Sequence, residues 1–468
     1  MLLDMLQTAY GRREVNNVLG RLINYIKEVI RKMFSKSKYS PVVGSNILLS
    51  EDMISMINEW ENCLIGKSKT CLDKDIPSLG LENSVCQEFT NVVLSEMDVK
   101  IENNDQLNKY FKDAISTLNE EFQQGLGLGS LIIKPLGNEG KVEYITADRI
   151  IPLEFDARKR LIKACFVQIK KVSDEVTYYR FEFHMLTKNG LEIQNKAYKG
   201  NKNDVGYEIA LNSVDEWANL MPQVTYPGME RMDFGYYRNP IPNRIDKSAN
   251  GVSIFHRAMK SIAKTDIQAA RLDWEYKSAE RMVFADYTTV KGDKDNGFKL
   301  PSDKKRLIVG VDIDEKLDTF NPAMRDQNYI NGLNEYLRNV EKDCCLAFGD
   351  LSNVNQVEKT ATEIKHAKQR KYDMVNAIEN NLKECLEDLA YALAFYNAQY
   401  NSGFEFCCTF NDSILNDEET ERNNDRIDVA NGIMSKLSYR MKWYNEDEAT
   451  ARKALEEIQK ETPDQLLQ

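Results

Sequence analysis

The chain has 468 residues and 42% hydrophobic content. That is enough for more than one core, since single cores stop growing at roughly 250 to 300 residues. A formal net charge of −11 excludes a protein that wraps nucleic acid on a broad basic face, because that mode rests on phosphate neutralisation by Lys and Arg. Nine cysteines and three histidines, with Cys344-Cys345 and Cys407-Cys408 adjacent and no Cys-x-x-Cys or paired-His spacing, argue against a zinc centre. An odd cysteine count without a secretory signal reads as a set of reduced, buried thiols.

At the amino terminus, Val15, Val18, Leu19, Leu22, Ile23, Ile26, Val29, Ile30 and Met33 recur at helical spacing among Arg12, Arg13, Arg21, Lys27, Arg31 and Lys32. This predicts a basic amphipathic helix within residues 1–40. It is too charged to span a membrane. It either lies on a membrane surface or packs on the body or a neighbouring subunit, and the second reading is adopted: no stable membrane association is expected. Residues 35–50 read as a linker. Helical patterns fill Glu51 to about Phe122. Strands follow at Ser130–Lys134, Lys141–Ile145, Ile162–Lys170, Thr177–Leu186 and Leu191–Lys199, with Lys188-Asn189-Gly190 as a hairpin turn.

The run Gly125-Leu126-Gly127-Leu128-Gly129 invites a phosphate-binding reading. It stands after a helix and before a strand, the reverse of the dinucleotide fingerprint, and termination of a helix by glycine accounts for it. There is no Gly-x-x-x-x-Gly-Lys-Ser/Thr in the chain. His184 is placed in a strand and His256 and His366 in helices. None has a neighbouring Ser, Cys or carboxylate pattern that singles out a base, so each is read as structural. Asp312 and Asp314, or Glu418 and Glu419, are read as solvated charges. No catalytic residue, metal or cofactor is expected, and the chain is expected not to be an enzyme.

After Pro240 and Pro242, a helix is expected from Ile254 to about Met282, on the order of 43 Å long at 1.5 Å per residue. A β-rich excursion follows, with strands at Phe284–Val290 and Arg306–Ile313, and a second helix from about Arg325 to Phe348 leads back. Lys359-Thr360-Ala361-Thr362-Glu363-Ile364 opens a very long amphipathic helix ending at Asn401-Ser402-Gly403, before a short strand and Phe410-Asn411-Asp412-Ser413-Ile414. The last segment, Asn411 to Gln468, holds fourteen Asp/Glu against eight Lys/Arg, a net −6. Ile427, Ala430, Ile433 and Met434, then Ala449, Ala454, Leu455 and Ile458, keep helical spacing there and are read as packed helices.

This order of segments resembles the portal proteins of tailed phages of Gram-positive hosts. The resemblance rests on Gly127-Leu128-Gly129-Ser130-Leu131-Ile132-Ile133-Lys134-Pro135, Asp148-Arg149-Ile150-Ile151-Pro152, Gly251-Val252-Ser253, Ser278-Ala279-Glu280-Arg281, Asn321-Pro322-Ala323-Met324-Arg325, Thr360-Ala361-Thr362-Glu363, Asp412-Ser413-Ile414, and Gly432-Ile433-Met434-Ser435 through Tyr439-Arg440. It spans residues 125–460. Gly349-Asp350-Leu351-Ser352 matches only part of the longer Gly-Leu-Ser-rich stretch that the family often carries.

The resemblance implies a mainly helical α+β chain of portal type, assembling as a ring, usually of twelve copies, around a central channel. It implies a wing at 41–250 and 360–410, a stem helix out at 251–282, a β-rich clip at 283–324, a stem helix back at 325–348, a tunnel loop at 349–359 and a helical crown at 411–468. Such a ring sits at one capsid vertex, the head-tail junction of the virion, after assembly in the host cytoplasm. Double-stranded DNA is packaged and ejected through it. The clip docks the terminase large subunit, then the head-completion adaptor, and capsid and scaffold proteins are further partners. The implied channel residues are Asn353, Asn355, Gln356 and Lys359, and the implied docking cations of the clip are Lys291, Lys294, Lys304, Lys305 and Arg306. The rival classes are a membrane- or scaffold-binding module acting through the amino-terminal helix, and a nucleotide-using enzyme built on Gly125 to Gly129.

Overall fold

The computed structural model describes Tyr39 and residues 41–44, 47–68, 76–137, 140–173, 175–279, 282–285, 307–309, 317–320, 323–353, 361–398, 403–410, 418–444 and 446–461. Helices and sheets are both present, with more helix than strand, so the chain is an α+β protein. The expected amino-terminal helix of residues 1–40 lies outside the described residues except for Tyr39.

After a short helical stretch at 41–43, four helices follow: α1 (Glu51–Leu64), α2 (Leu81–Ser95), α3 (Asp105–Ala114) and α4 (Leu118–Leu128). Side-chain oxygens of Ser50 and Asn104 cap α1 and α3 by accepting the amides of Met53 and Leu107, which satisfies donors a helix start leaves orphaned. Strand β1 (Met97–Glu102) interrupts the helical stretch. Its partner is β14 (Glu405–Phe410), three hundred residues on, with Met97 opposite Phe410 and Glu102 opposite Glu405. No local pattern could announce that pairing.

In the glycine run only Gly129 ends the helix, at φ +95°. Gly125 and Gly127 lie inside α4, where an added Cβ would stand 2.8 Å from Leu131 Cβ and 2.7 Å from Leu64 Cδ1. These glycines serve close packing, a role the reading as a terminator alone missed.

Two sheets follow. Strands β2 (Ser130–Pro135), β3 (Val142–Thr146) and β10 (Gly235–Arg238) form one, in the order β10-β2-β3. The other, in the order β4-β5-β6-β7-β8, comprises β4 (Ile150–Phe155), β5 (Leu161–Lys171), β6 (Thr177–Thr187), β7 (Gly190–Gly200) and β8 (Tyr207–Ile209), with β9 (Gln223–Tyr226) also pairing β7. Gly190, at φ +118°, closes the β6–β7 hairpin. Alternation along β5 sends Ala164 and Phe166 to one face and Cys165 and Val167 to the other, and all four are buried. The second face is covered by Tyr39, Val42, Val43 and Ile47. The ring of Tyr39 meets Phe181 edge-on at 5.7 Å, and the Leu48 amide donates to the Pro152 carbonyl. The described part of the expected linker is therefore packing material for a sheet.

Helix α5 (Met259–Ser278) begins later than the expected 251–282. Residues 251–255 cannot wind into it because they cross the end of α4. An added Cβ on Gly251 would lie 2.0 Å from the Gly129 carbonyl oxygen, the Ile254 amide donates to Leu126 O, and Asn239 Nδ2 donates to both Leu126 O and Val252 O. A short 3-10 turn, His256–Ala258, then leads into α5. Strands β11 (Met282–Ala285), β12 (Leu307–Val309) and β13 (Leu317–Phe320) form a small sheet with β11 in the middle, parallel to β12 and antiparallel to β13. Helix α6 (Asp326–Cys344) stops short of the expected Phe348, since Cys345 turns left-handed at φ +64°.

Helix α7 (Ala361–Tyr396) is 36 residues long. Its Val375, Ile378, Leu382, Cys385, Leu386, Leu389, Ala390, Leu393 and Ala394 are all buried. It lies so close on β10 that a Cβ at Gly235 would stand 2.2 Å from the Cys385 carbonyl oxygen. The main core joins α1–α4, β2, the start of α5, the end of α6 and α7. Helices α8 (Glu418–Ala430), α9 (Lys436–Tyr444) and α10 (Glu448–Glu461) close the described chain. Of the apolar positions expected to pack, Ile427, Ile433 and Ile458 are exposed in the single chain, while Met434, Ala454 and Leu455 are half-buried.

Candidate functional site

Helices α5 and α6 run antiparallel and form an arm. Four ties fix their register: Arg257 Nη2 to Cys345 Sγ at 3.2 Å, Ser261 Oγ to Asp343 Oδ2 at 2.7 Å, Gln268 Nε2 to the Tyr329 carbonyl at 3.2 Å, and Arg325 to Glu275. In the last, the Arg325 amide and Nε donate to Oε1 at 3.1 and 3.2 Å and Nη2 donates to Oε2 at 2.8 Å. Arg325 thereby lowers the Glu275 pKa. Gly332 leaves room for Gln268, whose Nε2 would stand 3.0 Å from a Cβ there.

The seam of this arm is polar. Of the buried residues of α5 beyond Ile262, which are Thr265, Asp266, Gln268 and Glu275, Gln268 and Glu275 bond to Tyr329 and Arg325, while Asp266 turns to the Leu79 amide of the body. Ile267, Leu272, Ile330, Leu333, Tyr336 and Leu337 are only half-buried, and Trp274 is 61% exposed. An amphipathic helix in a self-sufficient domain turns its apolar stripe inward. Here polar groups hold the pair together while apolar surface remains outside.

At the foot of the arm the chain folds back on Glu341. This carboxylate is fully buried. Its Oε1 accepts the amides of Gly349, Leu351 and Ser352 at 3.1, 2.7 and 2.7 Å, and its Oε2 accepts the Ser352 hydroxyl at 2.9 Å. Lys371 of α7 reaches Glu88 of α2 at 2.5 Å and Asp350 at 3.1 Å. Burial alone would lower the Lys371 pKa, but these two carboxylates outweigh it and raise it. Arg370 lies over the Phe348 ring, 4.7 Å from its centroid. Residues 346–353 are thus fastened to α6, α2 and α7 together.

Asn353, the first of the sequence-predicted channel residues, is exposed on this loop. Its amide donates to Asn334 Oδ1 at 2.7 Å, and its carbonyl accepts from Asn334 Nδ2 at 3.0 Å. Asn355, Gln356 and Lys359 lie outside the described residues. So do Lys291, Lys294, Lys304, Lys305 and Arg306.

The reading of the histidines missed one constellation. His184 has carboxylates on both sides: Nδ1 lies 2.7 Å from Asp233 and Nε2 3.0 Å from Glu182. Tyr396 donates to the other oxygen of Asp233, while Lys134 and Arg180 pair with Glu182. Burial works against a charged imidazole, yet Asp233 and Glu182 together raise His184 to about 9. Glu182 was findable, because residues two apart in a strand share a face. Asp233 and Tyr396 come from distant segments. His184 is 1% exposed, and the cluster joins β2, β6, the segment before β10 and α7.

His256 accepts the Trp60 indole N–H at 3.3 Å, in the 3-10 turn. Among the described residues no group of three or more His, Cys, Asp or Glu could hold a metal ion, and the eight described cysteines are free thiols. No described helix is long and apolar enough to cross a membrane. Compared with known proteins, the chain matches no protein-family model and no curated protein.

Proposed function

We propose that the chain is the subunit of a portal, the ring at one vertex of a phage head through which double-stranded DNA is packaged and ejected. The arm carries this reading. A helix pair with a polar seam and half-buried apolar flanks needs outside cover, and copies of the same arm side by side supply it. Repeated head-to-tail contacts of that kind close into a ring. The exposed Ile427, Ile433 and Ile458 of α8–α10 invite the same cover.

In this portal-type fold the arm is the stem, the β11–β13 sheet belongs to the clip, the core with α7 and β14 is the wing, and α8–α10 are the crown. The clip, with Lys291, Lys294, Lys304, Lys305 and Arg306, docks the terminase large subunit and then the head-completion adaptor, while capsid and scaffold proteins meet the body. Asn353, on the loop fastened by Glu341, meets the DNA together with Asn355, Gln356 and Lys359. An overall charge of −11 favours a duplex that slides, since rings of charge-assisted phosphate contacts would act as brakes. The chain needs no cofactor or catalysis of its own, and the ATPase is a separate protein. Its place is the virion, reached from the host cytoplasm.

The test is the mass of the purified protein in solution, with negative-stain class averages of the same sample. Roughly twelve copies of the 53.9 kDa chain around a central hole are expected. A chain that stays monomeric at every concentration, with and without scaffold protein, overturns the proposal.

A further inference from the structure

Glu82 stands in the first turn of α2, a helix whose N-cap, Gly80, offers no side-chain hydrogen bond. It is 3% exposed, and its Oε2 has no hydrogen-bond partner. Asp266 of α5, 1% exposed, faces it, and Asp266 Oδ1 accepts the Leu79 amide at 3.0 Å. That bond ties the start of α2 to the arm. From α1, Cys63 hydrogen-bonds the Glu82 carboxyl, and on its own helix Cys86 lies near. No Lys or Arg among the described residues acts on Glu82.

Two buried carboxyl groups, one with an orphaned oxygen and no cation beside it, are costly when both are ionised. A proton on one of them removes the repulsion. We infer that Glu82 and Asp266 form a proton-operated latch between body and arm. With Glu82 neutral, the Leu79–Asp266 bond holds the base of α5 against α2; ionisation of Glu82 loosens it. The latch belongs to the single chain and does not rest on ring assembly.

Burial, with Asp266 adding to it against the α2 backbone and Cys63, pushes Glu82 up to about 7. An opened latch returns Glu82 to its ordinary value of 4.5. Opening therefore releases a proton, and becomes easier as pH rises from 4.5 to about 7, roughly tenfold per pH unit, and then levels off. His184 titrates through a different window, because its folded value lies above neutrality.

Hydrogen exchange of the full chain tests this at the peptide containing Leu79, with intrinsic rates corrected, from about pH 5.5 to 8.5. Opening in the wild type should rise at least about tenfold and level near neutrality, while Glu82→Gln should be flat over the same range. Equal slopes in the two proteins, or a flat wild type, overturn the latch. Should Glu82→Gln fail to fold, Asp266→Asn keeps the acceptor oxygen and removes the neighbouring charge. The levelling point must then move to lower pH, and an unmoved one overturns the inference.

Discussion

The body and the arm bury opposite things. The body encloses Trp60, Phe89, Phe111 and Phe122 with almost no exposed surface. It also encloses paired charges, as in His184 with Asp233 or Lys134 with Glu182. The arm encloses Thr265, Asp266, Gln268 and Glu275 and leaves apolar side chains at its flanks. Folding alone stabilises the first arrangement, through apolar area removed from water. The second has its largest remaining apolar gain in contact with something else.

The comparison can be broken by substitution. Phe89→Ala should cost about 3 to 5 kcal/mol, read from chemical denaturation, because nothing near so enclosed a ring can collapse into the space. Glu341→Ala leaves three amides and a hydroxyl without their acceptor and should cost about 3 to 4 kcal/mol, with exchange protection lost selectively at residues 349–352. A loss spread evenly over the protein would refute its role as the anchor of the loop.

The charged cluster of the body gives a pH signature. The His184 value is raised from 6.5 to about 9 in the folded chain. Its contribution is therefore fully present below pH 6.5 and is lost as pH rises through 9, about 3 kcal/mol in all. Urea midpoints from about pH 6 to 9.5 should fall in the wild type and stay level in His184→Gln relative to it.

The arm should respond differently. Gln268→Leu replaces a buried polar group with an apolar one of similar size and should change stability by no more than about 1 kcal/mol. A loss near 3 kcal/mol would mean that the seam is built as rigidly as the body. Trp274→Ala should leave unfolding within about 0.5 kcal/mol yet weaken self-association at least about tenfold, measured by sedimentation. Unchanged association would place the cover of the arm elsewhere.

Much of the architecture was legible in the sequence because period and punctuation are local properties. The β6–β7 hairpin stood out through alternation around Lys188-Asn189-Gly190, and α7 as the long amphipathic run opened by Lys359-Thr360-Ala361-Thr362-Glu363-Ile364. What stayed hidden depends on residues brought together from afar. β1 reads as part of a helical stretch until β14 lies beside it. Glu341 looks like any charge on a polar helix until the chain reverses at Cys345 and lays three amides on its carboxylate. The glycines at 129 and 251 gain their meaning only where their backbones cross.

The contact between Arg257 and Cys345 places the two ends of the arm side by side. The excursion between them therefore leaves the body and returns to it at adjoining points, with the start of α5 and the end of α6 inside the main core. A short linker could bridge its ends, and the entropic cost of closing such a bridge grows only slowly with its length. The excursion is thus a cassette. Lengthening or shortening both helices by matched turns, or exchanging the small sheet for another, would alter how far the chain reaches without rewriting the register of anything beneath it.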